Sequence, residues 1–233
     1  MQSSWSLHNI NLFEGLTDEQ MAQILQLMPV ASYHRQEYLF RTGDEADCVF
    51  ILQVGSVKLS YINLNGDEKV LSVLQSGDIF GDLFLGKFRS RIGFAQAMDD
   101  VVVCRLLEDD FLQLIQQFPR IALNFIRHQA NEHRLTMARM QALMGMNARE
   151  RLLGMFLNLA RRYCCEEDPW FTLHETLTQE DLANMTGLNR TTVSSLINEF
   201  RRDGILGGSG RVITVNRQSV LAALEQTGSE LLE

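Results

Sequence analysis

The residues best suited to chemistry lie between 178 and 206, in TQEDLANMTGLNRTTVSSLINEFRRDGIL. Thr178 opens a Thr-x-x-Asp capping pattern with Asp181, which predicts the start of a helix. Leu182, Ala183 and Met185 supply its apolar face, and Gly187 follows as a tight turn. Leu188, Val193, Leu196 and Ile197 form the inner face of a second helix. A small residue at 183, a glycine at 187 and a β-branched residue at 193 meet three steric demands of a helix-turn-helix. The outer face of the second helix is what a DNA reader presents. Asn189, Thr191, Thr192, Ser194 and Ser195 are short polar groups, and Arg190 stands at the helix start. A helix N-terminus offers free N–H groups and a positive dipole end to phosphate. An arginine there can bond guanine through both edges of its guanidinium in the major groove. Arg201 and Arg202 close the helix. Residues 205–215 (ILGGSGRVITV) read as a hairpin, with Gly210 and Arg211 as a wing against the DNA backbone. Thr178 and these two join the candidate DNA-contacting set.

The rest of the chain must position and control this module. Residues 17–28 have apolar side chains at helical spacing, with Thr17 as N-cap and Pro29 as stop. From 36 to 107 the period changes to short β-rich runs, YLF, VFILQV, VKLSYI, KVLSVL and VVVCRLL. Gly43, Gly55, Gly66 and Gly77 fall between them at intervals of 12, 11 and 11 residues. Such regular punctuation predicts an antiparallel roll, barrel or sandwich.

After Glu108 helical spacing returns, and Pro119 separates a short helix from a long one ending near 146. In the long helix Leu123, Ile126, Ala130, His133, Met137, Met140 and Met144 recur at alternating steps of three and four. That heptad pattern pairs helices in coiled coils. A buried core helix with one apolar face is the other reading. Charged flanks at Arg127, Glu132, Arg134 and Arg139, with small Ala130 on the seam, favour pairing with a second copy. A further helix is predicted over 147–162, and a last one over 217–226.

Taken together, these parts resemble the CRP/FNR family of bacterial transcription regulators. The motifs that carry the resemblance are GDxxxxVFILQVGSVKL at 43–59, SGDIFGDL at 76–83 and NRTTVSSLINEFRRDGIL at 189–206. The resemblance covers about residues 10–225. It implies an α+β fold of three parts. These are an N-terminal antiparallel β-roll of the cyclic-nucleotide-binding type (1–119), a long dimerisation helix (120–146) and a C-terminal winged helix-turn-helix (147–233). It implies that Arg190 occupies the base-reading arginine position, while Thr191 and Ser195 stand where cyclic-AMP-responsive members carry Glu and Arg. Asn189, Thr192 and Gly210 fall on backbone-contacting positions. The loop Glu166–Trp170 matches a surface that touches RNA polymerase in activators.

The same resemblance bears on what is sensed. Cyclic-nucleotide binders hold ribose on a Gly-Glu-Leu segment and phosphate on an Arg-Ser/Thr pair. Here the first element is Gly81-Asp82-Leu83, one methylene shorter at the acid. The second places Arg91 on the arginine and Ile92 on the hydroxyl residue, or Arg89-Ser90 with a two-residue shift. On the long helix, Thr136 matches an adenine-contacting threonine, but Met137 follows where serine is usual. Each unpaired polar group in such a pocket costs roughly 1–3 kcal/mol. The expectation is a regulator not controlled mainly by cyclic AMP, with another small effector or none. A cyclic-nucleotide-responsive activator and a ligand-binding module without DNA function are the alternatives.

Composition excludes other classes. No apolar stretch is long enough to span a membrane, and the start lacks a basic, apolar leader, so a cytoplasmic protein is expected. The four cysteines, Cys48, Cys104, Cys164 and Cys165, form neither a disulfide framework nor a CxxC. They are split between the predicted domains, against the convergent thiolates an iron–sulfur cluster needs. No metal-ligand spacing, phosphate loop or nucleophile motif points to an enzyme. The net charge is −8. Residues 178–217 nonetheless carry five Arg and four acids, a net of +1, so the acidity lies elsewhere. The expected partners are therefore a palindromic operator in double-stranded DNA, a second copy of the chain and RNA polymerase.

Overall fold

A computed structural model describes residues 11–81, 89–163, 169–173, 177–209 and 212–226. The chain forms two compact units, Met1–His133 and Arg134–Glu233, which divide within one long helix.

In the first unit a 3-10 turn at Asn11–Phe13 precedes helix α1 (Asp18–Gln26). The Thr17 hydroxyl accepts from Gln20 N while the Gln20 side chain accepts from Thr17 N, a complete capping box. Eight strands follow, β1 (Val30–Tyr33), β2 (Tyr38–Phe40), β3 (Cys48–Val54), β4 (Val57–Ile62), β5 (Glu68–Leu74), β6 (Ile79–Phe80), β7 (Phe94–Ala97) and β8 (Val101–Leu107). They pair antiparallel in two four-stranded sheets, ordered β1-β8-β3-β6 and β2-β7-β4-β5. This is the expected β-roll. The four spaced glycines all have φ between 86 and 97°.

Strand β3 is buried on both faces, which is why it reads as an unbroken apolar run. Cys48, Phe50 and Leu52 face the other sheet, with Leu39, Val57, Phe80 and Val103. Val49 and Ile51 face a second core shared with helix α1 and with α2 (Glu108–Gln117). Ile121 and Phe125, from the first turns of helix α3 (Pro119–Gly145), close that second core. Asn124 is buried there and donates to Leu12 O at 3.1 Å and Glu14 O at 3.0 Å. The N-terminal segment, with Leu12 and Phe13 fully buried, is thereby fastened to α3.

The second unit is built on α4 (Ala148–Tyr163), which packs Leu152, Leu153 and Phe156 into its centre. Strand β9 (Trp170–Thr172) is followed by α5 (Gln179–Thr186) and α6 (Arg190–Arg202). Strands β10 (Leu206–Gly207) and β11 (Thr214–Asn216) and helix α7 (Arg217–Glu225) complete it. The expected hairpin forms, and β9 joins it in a three-stranded sheet ordered β10-β11-β9. This is a winged helix-turn-helix. No helix among the described residues is long and apolar enough to cross a membrane.

Candidate nucleic-acid interface

The geometry of the α5–α6 pair follows from its sequence. Thr178 caps α5 with Asp181 as expected, its hydroxyl donating to Asp181 Oδ2 at 2.7 Å. Leu182, Ala183 and Thr186 are buried, while Met185 is only half-buried. Gly187 ends α5 with φ 65°, and a Cβ there would lie 3.1 Å from Leu143 Cδ2. The left-handed backbone favours glycine at the turn, and the Leu143 tip packs closely against it. Asn189 then caps α6, its Oδ1 accepting from Thr192 N and from the Thr191 hydroxyl, each at 2.7 Å. Val193, Ile197 and Phe200 bury the inner face of α6 against the unit. Leu188 and Leu196 are half-buried, and Phe200 is an inner-face residue that the spacing argument did not single out.

This packing turns the outer face of α6 to solvent. Asn189, Arg190, Thr191 and Ser195 are exposed, Thr192 and Ser194 half-buried. Arg190 is exposed and makes no hydrogen bond or ion pair among the described residues. Most of the polar candidates thus lie on one face at the N-terminal end of a well-capped helix. Gly210 and Arg211 lie outside the described residues. Arg201 ties the other end of the helix to the wing, donating to Val212 O at 3.2 Å.

The seam residues on α3 are exposed among the described residues. Leu123, Ile126, Met137, Met140 and Met144 are between 44 and 84% exposed, and Ala130 and His133 are exposed as well. Leu143 adds a further exposed apolar side chain beside the heptad positions. The buried-core reading of this helix therefore holds only for its first two turns.

The described effector candidates, Gly81, Arg89–Ile92, Thr136 and Met137, have the following surroundings. Arg91 is buried, and its guanidinium donates to Gly81 O and to Cys48 O at 2.8 Å. It also lies over the rings of Phe40, 4.6 Å from the centroid, and Phe50. Its Nη1 is 2.8 Å from where a Cβ on Gly81 would stand, so the arginine fills the space above that glycine. Arg89, in the alternative register, is exposed and forms a two-edged ion pair with Glu108 at 2.7 and 3.0 Å. Ser90 is exposed in a bridge to Glu45, and Ile92 points to solvent at 72% exposure. Thr136 and Met137 are exposed positions on α3. Asp82 and Leu83 lie outside the described residues. So do Cys164, Cys165 and most of the loop expected to meet RNA polymerase; Trp170 is described and partly exposed.

Cys48 and Cys104 are buried in the two different cores, so they do not face each other. Burial raises both thiols, Cys104 to about 11 against an ordinary value of 9.0. Arg105, which donates to Cys48 Sγ at 3.7 Å, works against the burial effect at Cys48 without overcoming it.

Comparison with known proteins agrees with these parts. Residues 30–118 match the family model of the cyclic nucleotide-binding domain, and residues 150–224 that of the Crp-like helix-turn-helix domain. The anaerobic regulatory protein of Aggregatibacter actinomycetemcomitans is 28% identical over 200 residues, covering 85% of this chain and 77% of its own. The fumarate and nitrate reduction regulatory protein of Salmonella typhi is 29% identical over 186 residues, covering 80% of this chain and 74% of its own. The structure of FixK2 from Bradyrhizobium japonicum superposes with a TM-score of 0.72 over 84% of this chain and 96% of that one. At 24% identity, that likeness speaks to the fold. With a nucleotide-binding-type roll, a long helix and a Crp-like reading head in one chain, the protein belongs to the CRP/FNR family of DNA-binding transcription regulators.

Proposed function

We propose that the protein acts as a homodimer on a palindromic operator and that cyclic AMP is not its main effector. The observation that carries the dimer is the run of exposed apolar side chains at heptad positions along α3. A single strip of this kind left in water is costly, and a second copy offers the matching strip by two-fold symmetry. The same symmetry sets two α6 helices on successive major grooves, which selects half-sites about one helical turn apart. Arg190 reads a base in each half-site, Thr191, Ser194 and Ser195 tune the neighbouring positions, and Thr178, Asn189 and Thr192 with Gly210 and Arg211 hold the backbone. In this reading residues 1–119 form the sensory part, 120–146 the dimer helix and 147–233 the reading head. RNA polymerase is the expected further partner, in the cytoplasm.

The case against cyclic AMP rests on the two arginines. Arg91 would have to leave two carbonyls and two aromatic rings to meet a phosphate, and Arg89 would have to leave Glu108. Breaking such contacts without equal replacement costs about 1–3 kcal/mol each. Together with Ile92 in place of a hydroxyl donor, the loss exceeds a hundredfold in affinity. The match of residues 30–118 to the nucleotide-binding family favours the second reading, a cyclic-nucleotide-responsive activator. Isothermal titration of the full chain with cyclic AMP decides between them. Weak or absent binding is expected, and a low-micromolar affinity would overturn the proposal. The relatives' names concern anaerobic and fumarate–nitrate control. The described thiols Cys48 and Cys104 lie in separate cores, so they do not converge on one iron–sulfur cluster.

A further inference from the structure

Carboxylates on a helix that enters DNA add repulsion from the phosphates, and α6 and its C-cap carry two, Glu199 and Asp203. They stand four residues apart, so they share one side of the last turn. Both are held by one residue of another helix. Arg149, in the first turn of α4, donates from Nη1 to Glu199 Oε1 and from Nη2 to Asp203 Oδ2 at 3.1 Å. Its guanidinium carbon lies 4.9 Å from the ring centroid of Phe200. That ring is fully buried and meets Phe156 edge-on, so the arginine rests on a rigid floor. The first turn of α4 is fixed in turn by Asn147, whose Oδ1 accepts from Glu150 N while Glu150 Oε2 accepts from Asn147 N, both at 3.0 Å.

Only a planar fork can hold two carboxylates at this spacing and stack on a ring at once; a lysine is a single point charge. The pair is partly exposed, with side-chain exposures of 31% for Arg149, 39% for Glu199 and 44% for Asp203, so it contributes little to folding. Its consequence is for the field around α6. With Arg149 in place, the Glu199–Asp203 pair carries one net negative charge instead of two, drawn towards α4 and beside Arg201 and Arg202 of the same last turn. Residue 149 also lies outside the segment that matches the Crp-like domain, which begins at 150.

We propose that Arg149 is a positioning residue for DNA binding, which masks Glu199 and Asp203 and keeps their charge off the operator. The inference rests on the reading of α6 as the DNA-entering helix.

The test uses full-length protein and operator DNA selected by that protein, with fluorescence anisotropy across a salt series and thermal melting alongside. Arg149→Met keeps an apolar stem over Phe200 and removes the charge. It is expected to weaken binding roughly tenfold at 50 mM salt and less than about threefold at 300 mM, because salt screens exposed repulsion. The plot of log affinity against log salt should become shallower, by up to about 0.9 per uncompensated charge. Arg149→Lys should recover part of the loss. Adding Glu199→Gln and Asp203→Asn to Arg149→Met should restore wild-type affinity within about threefold, although the clamp is gone. A merely structural arginine would leave that triple variant weak at every salt concentration, and this result would overturn the proposal. Should Arg149→Met fail to fold, Glu199→Gln with Asp203→Asn in the Arg149 background carries the test. It should bind no worse than wild type, and a tenfold loss overturns the masking role. Arg190→Ala serves as the separate control. If it too leaves binding unchanged, the reading of α6 itself fails; if it abolishes binding while Arg149→Met does not, only the role of Arg149 falls.

Discussion

Replacing Met140 by glutamate puts the proposed dimer to a quantitative test. Met140 is the sixth of the seven seam positions on α3 and is 51% exposed in the single chain. Full burial of a methionine side chain is worth about 1.5–3 kcal/mol, so covering the exposed half is worth about 1 kcal/mol. Two protomers each lose that amount. The new carboxylates then face each other across a two-fold axis. At about 6 Å and an effective dielectric near 20, their repulsion is about 3 kcal/mol. The gross penalty is thus about 5 kcal/mol, and outward tilting of two flexible side chains relieves part of it. The dimer dissociation constant should rise by roughly 10²- to 10⁴-fold. Sedimentation equilibrium over a wide concentration range reads this directly, with circular dichroism to show that each chain still folds. Met140→Leu, which keeps volume and apolarity, should stay dimeric. Operator affinity should fall with the dimer, because two linked half-site contacts become two separate events. If Met140→Glu remains a dimer and binds DNA as wild type does, the seam is not the interface and the reasoning from exposed heptads is refuted.

Two further outcomes follow from single residues. Asn189→Ala removes the cap that accepts from Thr192 N and orders Thr191. It should cost about 1 kcal/mol of stability, a drop of a few degrees in melting temperature, and lower DNA affinity by more than that loss explains. Equal stability and equal affinity would count against the helix start as the contact region. For the buried thiols, Cys48 and Cys104 are held above their ordinary value, so both are protonated at neutral pH and shielded from reagents. Iodoacetamide at pH 8, read by peptide mass spectrometry, should leave both unmodified in the folded protein and label both in urea. The linkage at Cys104 has a definite sign. Its folded-state value of about 11 lies above the ordinary 9.0, so the unfolded chain ionises first and stability falls as pH rises from 9 to 11. Rapid labelling of folded Cys104 at pH 8 would contradict its burial.

Much of this architecture is legible in the chain because particular residues admit few conformations. Gly43, Gly55, Gly66 and Gly77 all have positive φ, so their spacing reports the turns of the roll directly. Gly187 likewise marks the turn of the helix-turn-helix by its left-handed backbone, whereas the capping role of Asn189 shows only in the structure. The sequence was silent where tertiary contact overrides local preference. Strand β7 is FAQA, poor in β-branched residues, and becomes a strand because β2 and β4 flank it. Strands β1 and β6 carry no clear sequence mark either; β6 is only two residues long, and β1 is an edge strand directly after Pro29. The N-terminal strap had no periodicity to read, and depends on Asn124 meeting carbonyls about 110 residues away. The same limit applies at the sites. That Arg190 faces solvent follows from helix spacing, but nothing local predicts that Arg91 turns to the carbonyls of Gly81 and Cys48. Nor does spacing reveal that Arg149 meets Glu199 and Asp203, some 50 residues away.

The net charge of −8 remains compatible with this reading, since the α5–wing segment is close to neutral and the acidity lies elsewhere. Recognition then rests on base contacts and helix ends more than on bulk positive charge. The most direct test is selection of bound DNA from a random pool, run in parallel with the wild-type chain and with Arg190→Ala. The account predicts that the wild type enriches a two-fold palindrome with half-sites about 10 base pairs apart, and that Arg190→Ala loses or relaxes one base position in each half-site. Enrichment of no motif, or of an asymmetric one indifferent to Arg190, would contradict it.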